Sequence, residues 1–120
     1  MPPLGRLVIY TRKEEAMIDF YTRLFGFSVH RSDGDRIVEL RPGEDGAALL
    51  LHPLSKGQKE GQALVKLVFD VADVAAFCAT AKEAGYTFGT LHQADGYIFA
   101  NIKDPSGNSV SVSSRAFAGP

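Results

Sequence analysis

"KDPSGNSVSVSS", residues 103–114, contains both a turn and the strand that leaves it. Pro105 fixes its own φ, and Gly107 and Asn108 tolerate positive φ, so Asp104 to Asn108 reads as a tight turn. Ser109 to Ser113 then alternates polar and apolar with period two, which predicts a strand whose Val110 and Val112 face a core. The run before the turn has the same period. Tyr97, Phe99 and Asn101 share one face, and the wholly aliphatic Ile98, Ala100 and Ile102 share the other, which is therefore the core face. Working further back, Tyr86 to His92 reads as another strand. Before it Asp73 can cap a helix with Val74, Phe77, Cys78 and Ala81 on one face and Gly85 as its stop. Leu64 to Val71 precedes that helix as a strand.

The N-terminal half has the same order. Leu7 to Thr11 is a short β-favouring run, and "EEAMIDFYTRLFGF" (14–27) spaces Met17, Phe20, Tyr21 and Leu24 as a helix face ending at Gly26. Three β-like runs follow: Phe27 to Arg31, Arg36 to Arg41 and Ala47 to His52. Gly26 and Gly85 stand 59 residues apart, and the turn glycines Gly46 and Gly107 stand 61 apart. A constant offset near half the chain marks two copies of one unit, here βαβββ. The sequence thus predicts an α+β fold in one domain over 1–120, with modules at about 5–52 and 63–115. The aperiodic "PLSKGQKEGQ" (53–62) is read as a solvated connector rather than a lid. One helix per module covers one sheet face, and the uncovered faces are expected to curl into a half-barrel cleft. A ferredoxin-like α+β domain is the alternative, but it does not account for three strands after each helix.

Composition narrows the function. Apolar content of 45% and charged content of 22% are ordinary for a globular chain, so disorder is not expected. A net charge of −1 without a Lys/Arg cluster argues against a nucleic-acid or anionic-membrane partner. The single cysteine excludes an internal disulfide and suits a reducing compartment. No apolar run is long enough for a signal peptide or a membrane span, and a cytoplasmic protein is expected.

The βαβββ duplication, "FYTRLFGF" and "KDPSGN" together resemble the vicinal oxygen chelate superfamily of glyoxalase I, ring-cleaving dioxygenases and bleomycin-resistance proteins, over residues 5–115. The resemblance implies four cleft positions, one in the first and one in the last strand of each module, which hold a divalent metal in the metal-dependent members. Here they fall at Arg6, Leu50, Lys66 and Ser111. Arginine does not deprotonate, leucine has no donor atom, lysine would have to lose its proton, and serine is a poor neutral ligand. The glutamate expected four residues past Gly107 is Ser111. No metal and no cofactor are therefore expected, and the resemblance points to the bleomycin-resistance style of metal-free ligand binder, bacterial and homodimeric.

Strand parity then gives the cleft lining: Arg6, Val8 and Tyr10; Leu50 and His52; Lys66 and Val68; Tyr97, Phe99 and Asn101; and Ser109, Ser111 and Ser113. For Arg36 to Arg41 both Ile37/Glu39 and Val38/Leu40 remain possible inward sets. Apolar and aromatic surface with a few convergent polar groups is the usual form of a small-molecule site. Arg6 and Lys66 suit an anionic ligand, and Tyr10, Tyr97 and Phe99 suit a planar one. Other readings stay open. Arg6 can turn to solvent, Lys66 can pair with Glu39 or Asp70, Tyr97 and Phe99 can be core, and His30, His52 and His92 can be rim residues. Cys78 is expected to be buried and inert. No nucleophile with an adjacent base, no paired carboxylates and no phosphate loop are present. The expected function is metal-free binding of an aromatic or anionic small molecule in the cleft between modules. The alternative is a metal-free isomerase or lyase with His52 or Tyr97 as general base.

Overall fold

The computed structural model describes residues 1–119. It consists of two compact units, residues 1–60 and the residues from Gly61 onward. Each unit holds one helix and one four-stranded sheet, an α+β architecture with a repeated βαβββ order.

In the first unit, β1 (Arg6–Thr11) leads into α1 (Glu14–Phe25), followed by β2 (Ser28–His30), β3 (Val38–Arg41) and β4 (Ala48–Pro53). The sheet order is β1-β4-β3-β2. The helix carries the chain back across one face, and the antiparallel β2-β3-β4 meander then brings β4 alongside β1 in parallel. Met17, Ile18, Phe20 and Tyr21 of α1 are buried together with Val38, Leu40, Leu49 and Leu51 of the sheet. Burying each such side chain contributes about 1.5–3 kcal/mol. Tyr21 meets Phe27 edge-on at 6.0 Å, and Gly26 ends the helix in the left-handed region at φ 72°.

The second unit repeats the plan with β5 (Lys66–Asp70), α2 (Val74–Glu83), β6 (His92–Gln93), β7 (Ile98–Lys103) and β8 (Ser109–Ser113), in the order β5-β8-β7-β6. A 3₁₀ turn, Arg115–Phe117, follows. Asp73 caps α2, its carboxylate accepting from the Ala76 amide at 3.0 Å. Ala100, Val110 and Val112 form the fully buried centre, and Val74 and Ala81 of α2 are buried with them. The aliphatic set of β7 and the valines of β8 therefore face inward as their period predicts.

Three details differ from expectation. The strand expected over Tyr86 to His92 is only two residues long, His92–Gln93. Residues 86–91 instead use their aromatics against α2, Phe88 meeting Phe77 edge-on at 6.1 Å. Leu64 and Val65 lie outside β5 and are exposed. Cys78 is only partly buried, and loss of solvation pushes its thiol pKa up.

The stretch 53–62 is tied down rather than free. The Arg12 guanidinium donates to the Gln58 carbonyl at 3.0 Å, and the Gln58 side chain closes a turn on Ser55. Gly61 packs against the Asp104–Asn108 turn.

Candidate functional site

Each sheet has one face filled by its core; the other face is exposed at Val8, Tyr10 and Val68 and buried at Ser111 and Ser113. On the first sheet, Val38 and Leu40 are buried, so the undecided parity of β3 resolves with Glu39 on the open face. Strand register then aligns Val8, Leu50, Glu39 and His30 in one row, with Tyr10 beside His52 and Arg6 beside Ala48. The Glu39 carboxylate accepts from Arg41 Nε in a very short contact and stands 3.7 Å from Arg6 Nε. The Arg41 hydrogen bond, then the charges of Arg41 and Arg6, hold its carboxyl below the usual carboxylate range against an opposing desolvation. Arg6 is thus partly neutralised by Glu39.

Tyr10 and His52 form an aromatic pair, their ring centroids 5.0 Å apart. His52 Nδ1 lies 2.8 Å from the Pro53 carbonyl oxygen. A carbonyl only accepts, so Nδ1 carries the proton, and in the neutral ring Nε2 is left with its lone pair. His30, on the same open face, has its Nε2 3.0 Å from the Ser28 hydroxyl.

On the second sheet, register places Lys66, Val68 and Asp70 beside Ser109, Ser111 and Ser113, and Asn101 and Phe99 beside Ser111 and Ser113. The Lys66 ammonium donates to Asn101 Oδ1 at 2.9 Å and lies 5.5 Å from the Phe99 ring centroid. Within its own unit it does not pair with Asp70. Phe99 is stacked on His92 at 4.9 Å and lies 6.3 Å from Tyr97. An ammonium, an amide and three rings thus share one patch. Ser111 is buried, and its hydroxyl donates to the Ala100 carbonyl at 3.0 Å, so that hydrogen is already in use.

Sequence reading left His92 at the rim and did not single out Arg41 or Arg115. Arg115 donates to the Tyr97 hydroxyl at 3.0 Å. The hairpin register of β6 on β7, which sets His92 opposite Phe99, was the missing signal.

The four positions that the sequence resemblance singled out for a metal are Arg6 and Leu50 on the first sheet and Lys66 and Ser111 on the second. With one donor atom already occupied, two cations and one aliphatic group, they do not fit a divalent ion. Among the described residues, no group of three or more His, Cys, Asp or Glu side chains is placed to hold one. No helix among them is long and apolar enough to cross a membrane.

A family profile described as the Glyoxalase/Bleomycin resistance protein/Dioxygenase superfamily matches residues 4–112, and the chain belongs to that superfamily. Among solved structures, an antibiotic binding protein, TnmS3, from Streptomyces sp. CB03234 is similar with a TM-score of 0.77 at 21% identity, covering 93% of this chain and 94% of that one. A lactoylglutathione lyase from Agrobacterium tumefaciens has a TM-score of 0.70 at 22% identity, covering 93% and 94%. A superfamily member from Sphaerobacter thermophilus DSM 20745 has a TM-score of 0.75 at 20% identity, covering 94% and 97%. At these identities the likeness establishes the fold. Comparison with curated proteins gives no match.

Proposed function

We propose that this protein is a metal-free small-molecule binder of its superfamily, working as a cytoplasmic homodimer. Its ligand is planar and anionic and lies on the second unit's sheet against Lys66, Tyr97, Phe99 and Asn101, with Ser111 beside Asn101 in the register; the first unit's sheet offers Tyr10, Leu50 and His52, with Arg6 beside Glu39. The observation that carries this reading is Lys66. Its ammonium is held by a neutral amide over an aromatic ring and has no carboxylate partner among the described residues. A cation kept in place but not neutralised is suited to accept an oxyanion, and Phe99, His92 and Tyr97 beside it offer flat surface for stacking. That a similar fold belongs to an antibiotic binding protein is consistent with a binding role.

The test is calorimetric titration with planar aromatic carboxylates, 2-naphthoate first. Lys66→Met is expected to weaken binding about ten- to a hundred-fold, the equivalent of one charge-assisted hydrogen bond of about 1.5–3 kcal/mol. Lys56→Met, in the connector, is the control and leaves binding unchanged. Equal binding by Lys66→Met and the parent protein would refute the assignment.

A second reading, a metal-free isomerase or lyase, is favoured by one observation. His52 has its proton fixed on Nδ1 and a basic Nε2 beside Tyr10, the arrangement a general base needs. Deuterium exchange into an α-carbonyl ligand, abolished in His52→Gln, would favour this reading over simple binding.

A further inference from the structure

The β6–β7 turn and the C-terminal 3₁₀ turn border a solvent-open depression of about 360 Å³ in the second unit, lined by Asp95, Tyr97, Arg115, Ala118 and Gly119. That volume is in the range of small-molecule sites. The turn is closed by the Ala94 amide donating to the Tyr97 carbonyl at 2.8 Å, which fixes where Asp95 stands. The Arg115 guanidinium lies 5.1 Å from the Tyr97 ring centroid and gives one N–H to the Tyr97 hydroxyl, while the Arg115 amide donates to Ser113 Oγ at 3.1 Å. The guanidinium is therefore held in one orientation with further donors unspent.

Asp95 and Arg115 line one depression with opposite charges, yet neither forms an ion pair among the described residues. A simple anion at Arg115 meets the repulsion of Asp95, and a simple cation at Asp95 meets that of Arg115. A molecule carrying both charges satisfies both walls at once. We propose that this depression is a second binding site, for a free α-amino acid. Its carboxylate pairs with Arg115, its ammonium with Asp95, and its side chain lies along Ala118 and Gly119. The site shares Tyr97 with the open face but needs nothing from Lys66, so substitution of Lys66 tests the open-face reading and substitution of Asp95 tests this one.

The experiment is an NMR titration of the ¹⁵N-labelled full chain with L-phenylalanine, its N-acetyl derivative and its methyl ester. The free amino acid is expected to shift the Arg115 Nε–H signal and the Gly96 and Gly119 amides saturably. The N-acetyl compound lacks the ammonium and the ester lacks the carboxylate. Each is expected to bind about five- to ten-fold more weakly, a modest factor because both protein groups are solvent-accessible. Asp95→Asn, a change at an exposed turn, should weaken the free amino acid by the same factor and, by removing the repulsion, bind the N-acetyl compound more tightly than the parent protein does. Lys66→Met should change neither. Equal binding of all three compounds, no saturable shift, or an Asp95→Asn variant that binds L-phenylalanine normally would overturn the proposal.

Discussion

Glu39 shows how neighbours decide what a residue contributes. Flanked by Arg41 and Arg6, its carboxyl is held below the ordinary value of 4.5. The unfolded chain, where that value applies, binds the proton first as pH falls. The stabilisation from Glu39 is thus complete above the unfolded pKa and disappears as pH drops through the lowered folded one. The expected result is a ¹³C carboxyl titration of Glu39 with a midpoint below that of a glutamate in an unstructured peptide. In Glu39→Gln, acid unfolding should lose the part of its pH dependence that falls in this window. A Glu39 midpoint at the ordinary value would contradict the pairing. The same residue bears on ligand binding, because an anion approaching Arg6 competes with a carboxylate already there, whereas at Lys66 it does not.

Among the elements, the turn at Asp104–Asn108 shows what was legible in the sequence. The Asp104 carboxylate accepts from the amides of Ser106 and Asn108 at 3.0 and 2.9 Å, a local arrangement that the residue types themselves announce. The valines of β8 and the aliphatic set of β7 were legible for a similar reason, since strand period alone assigns their faces. The role of Gly61 was not. It lies in a stretch without period, and its importance comes from contact with a turn 45 residues later. A Cβ there would stand 3.0 Å from the Ser106 carbonyl oxygen and 3.1 Å from that of Gly107, on a backbone at φ +69°. Both obstacles are backbone, so Gly61→Ala is expected to destabilise by about 1–3 kcal/mol, measurable by urea unfolding. Gly57→Ala, with a positive φ but open space around it, should cost about 1 kcal/mol. If Gly61→Ala proved no worse than Gly57→Ala, the packing against the turn would be immaterial. The candidate site was legible to the same extent. Parity placed Lys66, Phe99 and Asn101 on one face, but which groups they bond depends on rotamers and on hairpin register, as Lys66 with Asn101 and His92 with Phe99 illustrate. Period likewise could not shorten β6, because Phe88 finds its partner on α2.

For the molecule as a whole, the proposed dimer has a physical motive. β1 and β5 are outer strands of their sheets, and Leu4, Leu64 and Val65 beside them are exposed apolar groups. Unpaired edges and apolar flanks are commonly covered by a second copy. Light scattering at micromolar concentration is expected to give twice the 13.0 kDa of the chain, and a monomer mass throughout would count against it. The parallel pairing of each unit's first and last strands also bears on how the chain acquires its structure. In the first sheet β1 has β4 as its one neighbour, with Arg6 opposite Ala48. Until residues 48–53 have been synthesised, the strand made first has no ladder to join. Helix α1 and the β2–β3 hairpin are local and can form early, whereas β1 must wait, held by a loop whose closure entropy grows only slowly with its length. Since β5 relates to β8 in the same way, the chain would gain its sheets in two late, cooperative steps, one as each unit's last strand emerges.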